Sequence, residues 1–426
     1  MRLAAAGLPP LPRLAWLEID LDAVRANLAR LREVVGPGVR VEPVVKADAY
    51  GHGALPVALA LEAAGADGLS VATFDEALEL REGGVRLPLL VLYPVPAACV
   101  AAAATGGIAV AVGPGPGKDR ILAAAAANAG AGGPPLEVHV EIETGLGRGG
   151  VLPDGAMDLV AAIRGAAGVR LGGVWTHLAA ADDLPSARRQ DEAFTRALGL
   201  LDAVAWQDAR RHLAASGAVL AAEVRRWDAV RTGLSIYGLV PDALVPPAGT
   251  APAAAGLRPA MSLHARPVRV VALPAGHGVS YGPSWVASRP SRIATLPVGY
   301  GDGWRRVLSD RADALVRGVR VPLVGRVAMD AVMADVTDVP GSPVDEDDEF
   351  VLLGAQGGDR ITAHDLAATA GTISYEVVTA MARRLPRVYH AAGSPVAIRM
   401  LAGGRSDWHA SSSGTGISAT SRSTRS

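Results

Sequence analysis

The chain has 426 residues, half of them hydrophobic, and its 41 basic and 42 acidic residues leave a formal net charge of −1. Because the numbers of basic and acidic residues are nearly equal, the composition gives no sign of a basic surface for nucleic acid or for an anionic membrane. We therefore predict neither partner. Because Cys99 is the one cysteine, an intrachain disulfide and a thiolate metal cluster are both excluded. The length exceeds that of an ordinary single domain and predicts two or three.

Residues 1–15 are predicted to form a flexible terminus. Three prolines interrupt their apolar run before it is long enough for a signal sequence or a membrane span, so we expect a cytoplasmic protein. The next segment, 16–20, has the pattern of a strand, and a helix with Val24, Leu28 and Leu31 on one face follows it. This strand can pair with a β domain later in the chain.

Eight short runs of β-branched and apolar residues come next, separated by segments with helical periodicity. The runs are residues 41–47, 69–73, 89–93, 108–112, 138–144, 171–177, 212–216 and 230–239. Strands that are apolar on both faces and alternate with helices indicate a parallel sheet that is covered on both sides. We therefore predict an α/β fold, a TIM-like (β/α)8 barrel over residues 16–245.

Chemistry in such a barrel gathers at the carboxyl ends of the strands. Unusual polar residues stand at five of these ends, namely Lys46, the group Glu141, Glu143 and Arg148, then His177, Ser216 and Arg231. Lys46 is one of only two lysines, against 39 arginines. A desolvated lysine can lose its proton and attack an aldehyde or act as a base, which an arginine cannot. Lys46 is therefore the first candidate for covalent chemistry.

The pattern of predicted elements changes after a linker rich in Pro, Gly and Ala at about 241–256. From there to about residue 401 short strand-like runs follow one another with Gly and Pro turns, and one helical pattern interrupts them at 375–385. This predicts a mostly-β C-terminal domain over 246–402. The tail, 403–426, is too polar to bury and is predicted to be disordered.

The run VKADAYGHG at 45–53 resembles the cofactor-lysine signature of the alanine racemases, a fold-type III family of pyridoxal phosphate (PLP) enzymes. The likeness continues through about residues 17–400 in the family's order and spacing. Its further motifs are VHVEIETGLGR at 138–148, WTHLAAAD at 175–182, VRTGLSIYG at 230–238, GVSYG at 278–282, PVGYGDG at 297–303, GRVAMD at 325–330 and SYEV at 374–377. The resemblance implies PLP-dependent interconversion of L-alanine and D-alanine, which supplies D-alanine for peptidoglycan.

The resemblance also assigns the cofactor contacts. Lys46 would bind the aldehyde of PLP through its amine. The donors to the phosphate would be the hydroxyls of Tyr50, Ser216 and Tyr375 and the backbone N–H groups of Gly233 and Leu234. Arg231 would face the pyridine nitrogen, and because an arginine does not hand over a proton, the cofactor would be a weak electron sink. Read without the family, Arg231 could instead form an ion pair with Asp228.

Racemisation needs a base on each face of a planar carbon, and the resemblance assigns these roles to Lys46 and Tyr281. A tyrosine is a poor base near neutrality unless its surroundings favour the phenolate, and His177, placed between Tyr281 and Arg231, would help by hydrogen bonding. Arg148 and the backbone N–H of Met329 would hold the substrate carboxylate. In the family the tyrosine comes from the partner subunit, so a homodimer with shared active sites is expected. Tyr300 and Asp330 lie in matching motifs and are assigned supporting roles, and no metal is expected.

Three departures from the family pattern concern rate and substrate range. Glu141 stands where the family commonly has a lysine, often carbamylated, which orients the arginine that corresponds to Arg148. Glu141 carries a carboxylate of its own and can fill that role without modification. Ala215 replaces an asparagine, and the segment at 328–331 reads Ala-Met-Asp-Ala where the family has Cys-Met-Asp-Gln.

Four alternatives remain open at this point. The chain could be an amino acid racemase of broader range, a PLP-dependent decarboxylase, or a non-catalytic PLP carrier. A metal-dependent barrel hydrolase is the fourth, and its candidate ligands are His52, His139, Glu141, His177 and Asp182. A complete β domain that bears Tyr281, Tyr300 and Met329 argues against the carrier.

Overall fold

The computed structural model describes residues 3–201, 208–221, 224–244, 252–401, 407–410 and 417–420. The chain divides into two compact units. The barrel unit comprises Ala23–Ala49 and Ala54–Arg258, and the β unit comprises Met1–Asp22, Tyr50–Gly53 and Pro259–Ser426. The chain therefore leaves the barrel unit for four residues, Tyr50–Gly53, with only three residues separating them from the predicted cofactor lysine.

Parallel strands form the core of the barrel unit. In chain order they are β2 (Arg40–Val41), β3 (Leu69–Val71), β4 (Leu89–Val91), β5 (Ile108–Val112), β6 (Leu136–Glu141), β7 (Val169–Trp175), β8 (Arg210–Ala215) and β9 (Ala229–Arg231). Within the described residues these eight strands follow the order β2-β9-β8-β7-β6-β5-β4-β3, and a parallel bridge between Val44 and Ser70 joins the two ends of that order. The predicted (β/α)8 barrel is confirmed.

Helices cover the barrel strands. They are α1 (Leu21–Val35), α3 (Ala54–Ala63), α4 (Phe74–Glu82), α5 (Val100–Thr105), α6 (Pro116–Gly130), α7 (Pro153–Gly165), α8 (Leu184–Leu200) and α9 (Ser216–Ala221), with a short left-handed segment, α2 (Lys46–Tyr50), between β2 and α3. Every residue of β5 is buried, as expected for a strand that is apolar on both faces. Several strands end earlier than their apolar runs do, because the residues at their carboxyl ends turn into loops.

A mostly antiparallel sheet forms the β unit. Its strands are β1 (Ala15–Asp20), β10 (Met261–Ala265), β11 (Arg269–Leu273), β14 (Ser291–Leu296), β15 (Asp313–Val316), β16 (Val319–Val324), β17 (Val332–Asp335), β18 (Phe350–Gln356), β19 (Asp359–Ile361), β20 (Arg387–Ala391) and β21 (Ser394–Arg399). The strand order is β11-β14-β17-β16-β15-β18-β10-β1-β20-β21, and β19 pairs with β18. A separate hairpin joins β12 (Gly278–Val279) to β13 (Trp285–Val286). The predicted mostly-β C-terminal domain is confirmed.

The N-terminal segment belongs to the β unit. Strand β1 pairs antiparallel with β10 and parallel with β20, which places it in the sheet of the β unit. Leu3 is buried against Trp16, Val388 and Ile398, with partly buried leucines beside it. Residues 1–15, predicted to be flexible, thus contribute leucine side chains to this cluster, and their flexibility stays a prediction.

Two short helices, α10 (Ala363–Ala370) and α11 (Ser374–Thr379), interrupt the strands of the β unit. The pattern at 375–385 predicts only the second and extends it too far. The signal for α10 is a capping box in which the hydroxyl of Thr362 and the carboxylate of Asp365 cap the helix start. In the tail, β22 (Asp407–Ala410) pairs with β23 (Ile417–Thr420). The rest of the segment 403–426, which the sequence predicts to be disordered, lies outside the described residues. Among the described residues no helix is both long and apolar enough to cross a bilayer.

Candidate active site

A left-handed backbone turn follows Lys46. Ala47, Asp48 and Ala49 have φ between 52° and 56°, and Tyr50 continues at φ 53°. Left-handed helical conformation costs roughly 1–2 kcal/mol for each residue other than glycine, so a run of four persists only where the surroundings fix it. Backbone strain of this kind is concentrated at functional sites in proteins. The turn makes the segment after Lys46 a candidate site on structural grounds alone.

Carboxylates hold this turn in place. Glu76, near the start of α4, accepts the backbone N–H of Ala47 at 2.6 Å and that of Ala72 at 2.8 Å. Asp48 accepts the N–H of Ala54 at 2.9 Å, at the start of α3. Glu76 was not among the predicted site residues, although the capping box that it forms with Thr73 is readable in the sequence.

Lys46 is half-buried and lies in a cationic part of the barrel unit. Burial lowers the pKa of its amine, the charge of Arg148 lowers it further, and Arg231 adds to the effect against an opposing contribution from Glu76. A lowered pKa increases the neutral fraction of the amine, which is the nucleophilic form. The neighbouring arginines also make this region favourable for an anion.

Arg231 ends strand β9 and is almost completely buried. Its Nη2 donates to the carbonyl of Thr176 at 2.9 Å, and its guanidinium carbon lies 4.6 Å from the centre of the Trp175 ring. Burial lowers the pKa of Arg231 to about 10, so it remains cationic near neutrality. Asp228 pairs with Arg211 at 2.6 Å, and the alternative in which Asp228 pairs with Arg231 is therefore wrong.

His177 follows the end of strand β7 and lies beside Arg231. The distance from Arg231 Nη2 to His177 Nδ1 is 3.4 Å. Burial lowers the pKa of His177 to about 3, and the charges of Arg231, Arg148 and Lys46 add to this shift. A neutral His177 that accepts from Arg231 at Nδ1 carries its proton on Nε2, where it can donate to another group.

Ser216 forms a small polar cluster with the segment after β9. The Ser216 hydroxyl oxygen accepts the N–H of Gly233 at 2.9 Å and that of Ser235 at 3.2 Å, as well as the Ser235 hydroxyl at 2.9 Å. The Ser216 proton is thus directed elsewhere. Next to Gly233, the Thr232 hydroxyl is buried and has no hydrogen-bond partner among the described residues. Since buried polar groups are normally paired, this cluster is suited to bind an anion. Leu234 follows as a buried residue.

Arg148 is held by the loop after strand β6. Its Nη2 lies 3.4 Å from Glu141 Oε1, and its guanidinium carbon lies 5.8 Å from the centre of the Tyr93 ring. Glu143 accepts the N–H groups of Gly145 at 2.6 Å and Gly147 at 2.9 Å, which folds the loop that carries Arg148. Burial raises the pKa of Glu141 despite the opposing charge of Arg148. Tyr93 was missed from the sequence, although it ends one of the predicted strands.

The two remaining hydroxyls predicted to bind phosphate lie together in the β unit. The ring centres of Tyr50 and Tyr375 are 6.1 Å apart. Burial raises the pKa of Tyr50, and the neighbouring Tyr375 adds to this shift. Both effects keep the Tyr50 hydroxyl protonated, and therefore available as a donor to an anion.

Tyr281 and Met329 are exposed on the β unit. Tyr281 follows β12 and has 73% of its surface accessible, Met329 has 53%, and Tyr300 has 44%. The loops of Tyr300 and Met329 are joined, since the N–H of Gly301 donates to the Met329 carbonyl at 2.8 Å. Asp330 pairs with Arg384. Exposed aromatic and apolar side chains on one unit are typical of residues that act in an interface.

The alternative of a metal site is not supported. In the described part of the chain, no group of three or more His, Cys, Asp or Glu side chains is placed to hold a metal ion. His139, one of the candidate ligands of that hypothesis, instead bonds to His212 at 2.9 Å.

Comparison with known families agrees with the geometry. Residues 19–241 match the family described as "Alanine racemase, N-terminal domain", and residues 260–389 match "Alanine racemase, C-terminal domain". The chain belongs to the alanine racemase family. Membership confirms the resemblance and the predicted enzyme class, an isomerase that acts on an amino acid. The alternatives of a decarboxylase and a barrel hydrolase lose their support.

Relatives and solved structures of this family match almost the whole chain. The alanine racemase of Desulfosudis oleivorans is 40% identical, over 90% of this chain and 98% of the relative. That of Symbiobacterium thermophilum is 42% identical, over 88% and 97%. The alanine racemase structure from Bacillus anthracis, with bound L-Ala-P, superposes with a TM-score of 0.82 at 33% identity, over 92% of this chain and 98% of that one. The structure from Streptomyces coelicolor has a TM-score of 0.79 at 37% identity, over 88% and 97%.

Proposed function

We propose that the protein interconverts L-alanine and D-alanine with PLP as cofactor, by a two-base mechanism in which Lys46 and Tyr281 serve opposite faces of the α-carbon. The observation that carries the proposal is the Lys46 amine, which is half-buried, beside Arg148 and Arg231, and immediately before a strained turn. Such an amine has a lowered pKa and is suited to bind an aldehyde.

The donor set of the chain fits PLP. The Ser216 hydroxyl, the backbone of Gly233 and Leu234, and the hydroxyls of Tyr50 and Tyr375 would hold the phosphate, and the buried Thr232 hydroxyl offers a further donor. Arg231 would face the ring nitrogen, where its permanent charge keeps that nitrogen from being protonated. When bound, PLP withdraws electrons from the α-carbon of the substrate and makes its proton removable.

Proton transfer then falls to two side chains. Lys46 Nζ would take or return the α-proton on one face of the substrate, and the phenol oxygen of Tyr281 of the partner subunit would do so on the other. The Nε2–H of His177 would donate to that phenol oxygen and favour its deprotonated form. His177 receives a hydrogen bond from Arg231 at Nδ1, so its donor proton is directed by the same arginine.

Substrate binding would rest on Arg148. Its guanidinium can pair with the carboxylate of alanine, while Glu141 and Tyr93 fix its orientation. The backbone N–H of Met329 of the partner subunit would be a second donor, with Tyr300 and Asp330 supporting its loop. The exposure of Tyr281 and Met329 supports a homodimer with shared sites. We further propose a cytoplasmic location and a role in supplying D-alanine for peptidoglycan.

The test uses the purified protein with PLP, and it measures D-alanine formation together with the absorbance of the bound cofactor. Lys46→Ala is expected to lose both activity and the absorbance of covalently bound PLP. Tyr281→Phe is expected to keep that absorbance and to lose D-alanine formation by roughly 100-fold or more, as for removal of a general base.

Two results would contradict the proposal. Equal and very low activity in the wild type and in Tyr281→Phe, both with bound PLP, would favour a PLP carrier. Turnover of serine, lysine or arginine as fast as alanine would favour a racemase of broader range, which the departure at Glu141 keeps open.

A further inference from the structure

A chain of hydrogen bonds crosses strands β6 to β9 and ends on Arg231. His139 Nε2 lies 3.2 Å from Glu137 Oε1, and His139 Nδ1 lies 2.9 Å from His212 Nε2. His212 Nδ1 in turn lies 2.5 Å from Arg231 Nη1. Both histidines are fully buried, whereas Glu137 is partly exposed near the start of its strand.

Strand β7 is shaped to make room for this chain. A Cβ atom on Gly173 would lie 2.4 Å from His139 Nδ1, and one on Gly172 would lie 2.2 Å from Glu137 Oε1. The register of β6 against β7 shifts at this point, because Val138 pairs with Leu171 and His139 pairs with Gly173. Two glycines at a bulge thus leave the space that the Glu137 and His139 side chains fill.

The two ends of the chain fix where its protons are. Arg231 can only donate, so His212 must accept at Nδ1 and carry its proton on Nε2. This proton goes to His139 Nδ1, which leaves the His139 proton on Nε2. That proton points to the Glu137 carboxylate, which can only accept. Each bond then has one donor and one acceptor.

The opposite direction does not work. Arg210 Nη2 lies 3.1 Å from Glu137 Oε1 and 3.3 Å from His139 Nε2, so it could in principle donate to His139. His139 would then donate from Nδ1 to His212, and His212 would turn an N–H toward Arg231. Two donors would face each other at 2.5 Å, which is repulsive. Arg231 and Glu137 therefore set the same direction from the two ends, and Arg210 shares the carboxylate oxygen of Glu137.

We propose that Glu137, His139 and His212 are positioning residues that hold Arg231 in one orientation, and that Glu137 supports, from the far end, the tautomers that the donor Arg231 requires of both histidines. This inference rests on the proposed function, in which Arg231 faces the ring nitrogen of the cofactor. Trp175 completes the arrangement, since its ring stacks on that of His212 at 5.9 Å between centres and lies under Arg231.

The chain of hydrogen-bonded side chains brings no further positive charge to Arg231. Burial lowers the pKa of both His139 and His212, so both rings are neutral near pH 7. The charged groups that face them are Arg231 at one end, and Glu137, Arg210 and Glu42 at the other. A neutral chain restricts how the arginine turns while leaving its charge for the cofactor.

The first test is the 15N NMR spectrum of the histidine rings, which distinguishes a protonated ring nitrogen from a bare one. The signals of the two buried histidines are assigned by their loss in single His→Phe variants. Both rings are expected to be neutral with the proton on Nε2, with and without cofactor, in the wild type and in Glu137→Gln, which keeps an acceptor oxygen. In Glu137→Ala the form of His139 with its proton on Nδ1 is expected to become populated.

The second test is kinetic. His212→Phe keeps the ring next to Trp175 but removes the acceptor for Arg231, and kcat is expected to fall roughly 10- to 100-fold, as for loss of one hydrogen bond to a charged group, with a smaller change in KM. His212→Asn keeps an acceptor near the position of Nδ1 and is expected to recover part of the loss. His264→Asn, in a buried histidine paired with Glu349 in the β unit, is the control and is expected to leave kcat unchanged.

Three outcomes would overturn the inference. They are a proton on Nδ1 of either histidine in the wild type, identical ring spectra in Glu137→Ala and the wild type, and an unchanged kcat in His212→Phe. Should His212→Phe fail to fold, the kcat values of Glu137→Ala and Glu137→Gln give the same comparison at the partly exposed end. A wild type that forms no D-alanine would instead contradict the proposed function, and the NMR spectra would still test the chain.

Discussion

At the scale of residues, the contact between Glu141 and Arg148 is the most informative in this site. They lie 3.4 Å apart, and burial raises the pKa of the Glu141 carboxyl. Under the proposed function, a carboxylate at this position would orient the arginine without any modification of the chain. The interaction depends on the charge of Glu141, and that charge is lost at a higher pH than for an ordinary glutamate.

Acid should therefore weaken the binding of alanine. As the pH falls through the raised pKa of Glu141, the carboxyl takes up a proton and releases Arg148, so we expect KM for alanine to rise at a pH above 4.5. Glu141→Gln should raise KM at neutral pH by roughly fivefold, about 1 kcal/mol, and should lack this acid rise.

The measurement is a pH profile of KM for both proteins. Asp338→Asn, which breaks the exposed pair of Asp338 with Arg289, serves as the control and should leave the profile unchanged. A wild-type KM that stays constant down to pH 4.5 would show that Glu141 does not orient Arg148.

At the scale of elements, the left-handed turn after Lys46 is the most demanding part of the fold. Four consecutive residues other than glycine have positive φ there, and Gly51 continues the run at φ 81°. The turn enters the β unit at Tyr50, and there a Cβ on Gly51 would lie 2.2 Å from the carbonyl oxygen of Val378. The positive φ and the close contact thus both favour glycine at position 51.

Gly51→Ala should destabilise the protein by roughly 3 kcal/mol or more, because the added methyl group meets a backbone oxygen and the residue keeps a positive φ. Gly371→Ala is the matched control. Its φ is 67°, but no atom lies within 4 Å of the added Cβ, so only about 1 kcal/mol of strain is expected. Unfolding in urea measures both values, and equal losses in the two variants would refute the role of the close contact.

For the whole molecule, the main point is that Lys46 and Tyr281 belong to different units of the fold. Lys46 belongs to the barrel unit, and Tyr281 is an exposed residue of the β unit. If each active site takes its two bases from different subunits, neither subunit is complete alone, and activity depends on association.

Mixing two inactive variants tests this arrangement. After unfolding and refolding together, equal amounts of Lys46→Ala and Tyr281→Phe should recover about a quarter of the wild-type activity, since half of the dimers are mixed and each of these has one intact site. Each variant refolded alone is the control. No recovery, with mixed dimers demonstrated by a tag on one variant, would mean that both bases come from the same chain.

Much of this arrangement could be predicted from the sequence. The eight buried strands follow from apolar runs, and the positions of Lys46, His177, Ser216 and Arg231 follow from their places at the strand ends. The link between Glu137, His139 and His212 could not be recognised in this way, and the sequence offered His139 only as a candidate metal ligand. His212 lies 73 residues after its partner His139 and 19 residues before its partner Arg231, and no local pattern in the sequence signals contacts at such distances along the chain.

The sequence by itself determined the alternation of strands and helices and the family, because hydrophobic periodicity and motif spacing are local properties of the chain. Only the tertiary structure decided that Asp228 pairs with Arg211, that Leu3 packs on the β sheet, and that two buried histidines connect Glu137 to Arg231. These features depend on which side chains meet across strands, on the space that glycines leave, and on burial, and none of these is fixed before the chain has folded.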